Sequence, residues 1–296
     1  MRQGIVFYEK AVATDPNYAL AYAEMADAYR RLASAGFAHP TDVCPKARQY
    51  ATRALELDRS LAEAHTALAW VLFMYEWEWD AAEAELKQAL GLSPKSFDVR
   101  FAYAHFLSDA GRHDEAVAQI RRAKELGPTI LIISATESMI LNAAGREDEA
   151  VLAAKQALDF DENFWPAHLQ LGSAYYRQKR FADAVAHLQR AKDIAPTAYQ
   201  ARSSLGLVYA VMGNKRAAYE ILNELEDPGK DTYVPFHKIA MIYNALGKKE
   251  KALDLFDRAL AEREAHLMDI RTERSLDNLR SDPRFIRLLK AMRLIP

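Results

Sequence analysis

Residues 168–196 read HLQLGSAYYRQKRFADAVAHLQRAKDIAP, and this stretch decides the fold. Its apolar residues recur at spacings of three and four over two blocks of about a dozen residues, which predicts a pair of amphipathic helices. Alanine recurs at one phase of a 34-residue period, at Ala82, Ala116, Ala150, Ala184, Ala218 and Ala252. Since small residues at a fixed phase allow close helix packing, the sequence predicts an all-α chain of stacked helix pairs.

The period divides the chain into three parts. Residues 1–16 hold an unpaired second helix, residues 17–262 hold seven helix pairs, and residues 263–296 form a C-terminal segment without the repeat. A repeat cannot bury its apolar face alone, so a start in mid-repeat predicts a region cut from a longer protein, or a surface that docks onto something. The first pair carries nine additional residues, and its glycine and prolines predict an inserted loop near 34–45.

Composition argues against several classes of protein. The chain has 296 residues, of which 50% are hydrophobic and 27% charged, and its formal net charge is −2. Without a basic excess we expect no nucleic acid partner. Cys44 is the single cysteine, so no disulfide can form within the chain, and a cytoplasmic location is favoured. No run of about 18 apolar residues occurs, and no membrane insertion is predicted.

No motif in the sequence supports catalysis. There is no glycine-rich phosphate loop, and no nucleophile lies on a predicted strand-to-helix turn. His105, Asp109 and His113 are spaced four apart, but Gly111 is expected to end that helix between them, so no metal site is predicted. We therefore expect a protein that is not an enzyme and uses no cofactor.

The landmarks of one period are those of a known repeat. Leu171, Gly172 and Tyr175 in the first helix, with Ala184 and Pro196 in the second, resemble the tetratricopeptide repeat (TPR). The resemblance implies a right-handed TPR superhelix, an α-solenoid of about seven helix pairs with a leading half repeat. After residue 263, Asp282 and Pro283 predict the start of a C-terminal capping helix.

Several short phrases narrow the resemblance. They are SLAEAH at 60–65, YEWEWD at 75–80, GRHDEA at 111–116 and LRSDPRF at 279–285. They are similar to the repeat region found C-terminal to bacterial Ser/Thr kinases, adenylate cyclase-type domains and winged-helix or TolB-like regulators. This implies the partner-binding region of a bacterial signalling protein. Two alternatives stay open: the excised regulatory half of a larger kinase or nucleotide cyclase, and a stand-alone adaptor that self-associates through the N-terminal half repeat.

First helices line the concave groove of such a superhelix, so a protein or peptide partner should contact fixed phases of these helices. The residues at those phases are Trp70, Phe73, Met74, Phe101, His105, Met139, Asn142, Tyr176, Arg177, Leu207, Met241 and Asn244. We expect the apolar members to anchor a peptide or helix, and Asn142, Arg177 and Asn244 to orient its backbone. The alternative is that some of these side chains pack between neighbouring helices or against the inserted loop.

Trp77 and Trp79 lie in the turn of the second pair. They are either an exposed contact site or a structural wedge between neighbouring units, and the wedge is favoured.

Overall fold

The computed structural model describes residues 2–227 and 233–295, and within these ranges it contains helices and no strand. Met1 and Pro296, the outer limits of the predicted terminal regions, lie outside the described residues. Sixteen α-helices are present in these ranges: α1 (Arg2–Thr14), α2 (Ala19–Ser34), α3 (Pro40–Leu57), α4 (Ala62–Val71), α5 (Trp79–Leu92), α6 (Phe97–Asp109), α7 (His113–Leu126), α8 (Leu131–Ala143), α9 (Glu147–Phe160), α10 (Trp165–Arg177), α11 (Phe181–Ile194), α12 (Tyr199–Val211), α13 (Lys215–Glu226), α14 (Phe236–Ala245), α15 (Lys249–Ala261) and α16 (Pro283–Ala291). The predicted all-helical solenoid is confirmed.

The small residues of the repeat lie where helices touch. All six alanines of the 34-residue period are fully buried. At Gly172 on α10, an added Cβ would lie 2.5 Å from Cγ of Leu188 on α11. Because that distance is far below a van der Waals contact, the two helices of this pair could not approach so closely with any larger residue.

In the first pair, the loop expected near 34–45 is largely helical. Helix α3 already begins at Pro40, so only residues 35–39 connect the two helices. His39 caps α3 by accepting a hydrogen bond from Thr41 N, and Pro40 occupies the first turn, where its fixed φ suits a helix and its missing N–H costs nothing. The nine additional residues therefore lengthen α2 and α3 to 16 and 18 residues.

The two ends of the array meet. In the first connection, Gly36 O accepts a hydrogen bond from Tyr233 N at 2.8 Å, and His39 Nε2 lies 2.6 Å from Glu262 Oε2. In the second pair, Trp79 Nε1 donates to Met292 O at 2.8 Å, and its neighbour Trp77 is buried. The helix pairs thus curve until the first two units contact the last. Trp77 and Trp79 make structural contacts, but the hydrogen bond of Trp79 reaches the C-terminal segment and not a neighbouring unit.

The C-terminal cap forms as the sequence predicts. Asp282 accepts a hydrogen bond from Arg284 N at 2.8 Å, and Pro283 is the first residue of α16. The ring of Phe285 packs edge-on against Phe256 of α15, with 5.7 Å between centroids. Helix α16 therefore covers the apolar face that α15 would otherwise expose.

Candidate functional site

The predicted groove residues all lie on the first helices of their pairs (α4, α6, α8, α10, α12 and α14) or on the π-helical turn that follows α4, Leu72–Glu76. Five of them keep partial exposure, namely Phe101, His105, Met139, Tyr176 and Arg177. The other seven are buried, namely Trp70, Phe73, Met74, Asn142, Leu207, Met241 and Asn244. Most of the expected contact surface is therefore closed to a partner that approaches from solution.

A segment of the chain itself occupies part of this groove. Residues 264–279, which we call the closing segment, contain two short 3₁₀ turns, Leu267–Arg271 and Arg274–Leu279. Arg177 Nη2 donates to Thr272 O at 3.1 Å, and Asn244 Nδ2 donates to Ser275 O at 2.8 Å. Two of the three side chains that we expected to orient a partner's backbone thus hold backbone carbonyls of the same chain.

Apolar side chains fix the closing segment to the helices. Its large apolar residues are all at most 2% exposed, namely Leu267, Met268, Ile270, Leu276 and Leu279. Burying each of them contributes roughly 1.5–3 kcal/mol, so together they stabilise the closed arrangement by on the order of 10 kcal/mol. The segment is therefore a part of the fold rather than a loosely held tail.

Glu264 anchors the beginning of the closing segment. Its fully buried carboxylate accepts hydrogen bonds from Tyr233 Oη at 2.7 Å, His237 Nδ1 at 2.7 Å, His237 N at 3.0 Å and Phe236 N. Two of these donors are free N–H groups of the first turn of α14, where the helix dipole also favours a negative charge. Glu264 therefore fastens the segment to the N-terminus of α14.

A cavity of about 300 Å³ remains between the closing segment and the first helices. It brings together six of the predicted groove residues: Met139, Asn142, Tyr176, Arg177, Leu207 and Met241. Trp70, Phe101 and His105 lie outside it in an aromatic cluster, with ring centroids 5.1 Å apart for Trp70–His105 and 4.8 Å for Phe101–His105. The expected continuous groove is thus divided into a cavity and an aromatic cluster.

The cavity also has lining residues that the groove prediction missed. Gln170, Ser204 and Lys238 occupy one phase in three successive first helices and keep partial exposure. Asp109 lines it from α6, and Asp269 from the closing segment. The shared phase of the first three was a signal available in the sequence, whereas nothing in the repeat pattern placed Asp269 there.

Several polar groups of this region are in unusual environments. Burial lowers the pKa of His105 to about 3 and that of His266 to about 4. Burial, together with repulsion by Asp269, raises the pKa of Asp109 well above its usual range. Asn142 is 4% exposed, and neither atom of its side-chain amide has a hydrogen-bond partner among the described residues. The wall of the cavity therefore has unsatisfied polar groups, a property of binding sites more than of cores.

Across residues 2–227 and 233–295, no helix is long and apolar enough to span a bilayer. The same ranges contain no group of three or more His, Cys, Asp or Glu side chains placed to hold a metal ion.

Comparisons with known proteins identify the repeat. One tetratricopeptide repeat model matches residues 77–131 and 141–203, and a second matches residues 236–267, so that together they cover about half of the chain. A search of curated proteins found no significant relative.

Solved structures share the fold at low sequence identity. The human IFIT1 dimer with m7Gppp-AAAA has a TM-score of 0.63 and 18% identity, over 92% of this chain and 64% of that one. The APC/C hetero-tetramer Cut9–Hcn1 has a TM-score of 0.64 and 15% identity, over 99% and 52%. A tetratricopeptide repeat protein from Parabacteroides merdae has a TM-score of 0.58 and 12% identity, over 92% and 98%. The chain belongs to the tetratricopeptide repeat family.

Proposed function

We propose that the chain is a non-catalytic protein-interaction scaffold that receives a short segment of a partner protein on its inner wall. One observation carries the proposal: this wall already holds a peptide segment by its backbone, through Arg177 to Thr272 O and Asn244 to Ser275 O. Contacts to backbone carbonyls do not depend on side-chain identity, which suits a surface that recognises peptides. The modest net charge of −2 also favours a protein over a nucleic acid.

The partner segment would bind beside the closing segment. Displacing the closing segment would expose apolar side chains whose burial is worth on the order of 10 kcal/mol, which exceeds the binding free energy of an ordinary micromolar peptide. The accessible route is the rim of the cavity, where Gln170, Gln200 and Ser204 are partly exposed. A cavity of about 300 Å³ lies at the small end of ligand sites, so it would take one anchor side chain of the partner.

The test is a selection of displayed random peptides on the intact chain. Ser204→Trp would fill the rim, and Tyr219→Trp, on the outer helix α13 where Tyr219 is 38% exposed, is the matched control. Enriched peptides should bind the wild type and the control alike, and should bind Ser204→Trp at least about tenfold more weakly, a loss of about 1.4 kcal/mol. If no peptide is enriched, or if both variants bind equally well, the proposal fails.

We further propose that this scaffold is the partner-binding region of a bacterial signalling protein that works in the cytoplasm. The four phrases at 60–65, 75–80, 111–116 and 279–285 support this proposal. The coding sequence upstream of Met1 is the test. A kinase, cyclase or winged-helix domain in frame would support it, and an unrelated upstream gene with its own stop codon would leave the stand-alone adaptor.

A further inference from the structure

The acidic side chains that line the cavity, Asp109, Asp269 and Glu273, differ in whether they have a hydrogen-bond or ion-pair partner. Lys238 Nζ pairs with Asp269 at 3.0 Å, and Glu273 Oε1 accepts a hydrogen bond from Ser275 N at 2.8 Å. The carboxylate of Asp109 has no hydrogen bond and no ion pair within residues 2–227 and 233–295. Asp109 is therefore the acidic lining group whose carboxylate has no direct partner in the described part of the chain, although the charge of Arg271 acts on it from nearby.

The nearest cations are held elsewhere. Arg271 Nη1 donates to the backbone oxygen of Asp109 at 3.3 Å, not to its carboxylate. Its guanidinium lies against the turn at Gly111, where an added Cβ would come within 2.7 Å of Nη2. Arg177 is directed to Thr272 O, and Lys238 is paired with Asp269. A cation in direct contact with the Asp109 carboxylate would therefore have to come from outside this set.

The remaining walls fit an aliphatic chain. Apolar or aromatic side chains line the cavity from four first helices and from the closing segment, namely Met139, Tyr176, Leu207, Met241 and Met268. Methionine adapts its shape to such contacts, and the lining aromatic rings also favour a nearby cation. An anionic ligand would meet Asp109 and Asp269, while the lining cations Arg177, Lys238 and Arg271 already bind groups of the same chain. A purely apolar ligand would leave the Asp109 carboxylate without a partner.

We propose that the cavity binds a primary ammonium group carried on a short aliphatic chain, with the Asp109 carboxylate as its counter-ion. A guanidinium fits less well, because one carboxylate accepts only two of its five N–H donors and the remaining three would need further acceptors. The ammonium belongs either to a free alkylamine or to a lysine of the partner segment, and only the second source rests on the proposed function. Burial and repulsion by Asp269 raise the pKa of Asp109, and a bound cation would favour its ionised form.

The test is calorimetry on the intact chain with two pairs of probes. n-Pentylamine is compared with 1-pentanol, and Nα-acetyl-lysine methylamide is compared with its norleucine analogue. At least one ammonium probe should bind ten times more tightly than its neutral partner. Asp109→Asn, which keeps the shape of the side chain, should abolish that preference, whereas Asp277→Asn, at a carboxylate 70% exposed, should preserve it.

A second measurement needs no variant, and so it holds even if Asp109→Asn does not fold. The methyl signals of Met139, Met241 and Met268 should shift on addition of the ammonium probe, while those of the other five of the eight methionines stay in place. Binding of pentylamine alone assigns the site to free amines, and binding of the blocked lysine, alone or as well, assigns it to a lysine side chain. Absence of a tenfold preference for both ammonium probes, a preference that survives Asp109→Asn, or shifts only at other methionines would overturn the proposal.

Discussion

The two ends of the first helices have different roles in this molecule. At their C-terminal ends, Arg177 and Asn244 hold the closing segment by its backbone. In their N-terminal halves, Gln170 and Ser204 border the cavity and keep partial exposure. Both sets occupy regular positions of the same repeat, so the repeat alone does not decide which part of the wall is available. The returning chain decides it, by filling one part and leaving the other.

The largest expected effect concerns Glu264, which anchors the closing segment in the filled part of the wall. Glu264→Ala would leave buried donors of Tyr233, Phe236 and His237 without their acceptor. Removing one partner from a buried charged network costs roughly 3–5 kcal/mol, so the free energy of unfolding should fall by about that much. Urea unfolding followed by circular dichroism measures it. Glu262→Ala removes a partly exposed partner of His39 and should cost at most about 1 kcal/mol. Equal losses for the two variants would mean that the closing segment is not anchored at Glu264.

A smaller effect tests the contact between the two ends of the array. Gly36 has φ +76°, and an added Cβ would lie 2.6 Å from Tyr233 O and 2.8 Å from Cδ1 of Tyr199. Gly213 has φ +78°, but nothing lies within 4 Å of its added Cβ. Alanine at either position costs about 1–2 kcal/mol for the left-handed backbone, and Gly36→Ala should cost about 1–3 kcal/mol more for the clash. Thermal unfolding of the two variants measures the difference. If they unfold at the same temperature, the ends do not meet in solution.

The sequence predicted the parts of the fold that depend on neighbouring repeats. The buried alanines of the 34-residue period, the cap at Asp282 and the position of the twelve groove residues on first helices or the adjoining turn all follow from local spacing. The closing segment did not follow, because the bond from Arg177 to Thr272 joins residues 95 positions apart and the segment has no period. Nor did α3, where Pro40 and Pro45 suggested a loop although His39 and Pro40 together start a helix.

The next prediction compares the two parts of the wall directly. Arg177→Ala removes one hydrogen bond to the closing segment, and should lower the free energy of unfolding by about 1–2 kcal/mol. Asn244→Ala removes three, one with Ser275 O and two with the side chain of Asn278, and should lower it by about 2–3 kcal/mol. Gln170→Ala and Ser204→Ala change partly exposed residues of the cavity rim, and should stay within about 0.5 kcal/mol of the wild type. Chemical denaturation of the four variants under one condition measures the contrast. Similar losses on both parts would show that the rim is also structural, and would weaken the case for a partner there.

The last expected effect is a pH dependence of stability that arises at His266, where the closing segment meets the cavity. His266 belongs to the closing segment and lines the cavity, and burial lowers its pKa to about 4, against about 6.5 in an unfolded chain. Since the folded state binds fewer protons, this histidine favours folding fully above pH 6.5, and its contribution is lost as the pH falls towards 4.

His266→Asn should remove this pH dependence, and asparagine tolerates the left-handed φ of 64° found at this position. Between pH 7 and pH 5 the wild type should therefore lose about 1–2 kcal/mol more than His266→Asn, measured by urea unfolding at each pH. Because Asp109 is present in both proteins, its contribution cancels in this difference, and that of His105 changes only by the loss of repulsion from His266. Parallel pH profiles would mean that His266 is in contact with bulk water, and that the closing segment does not seal its side of the cavity.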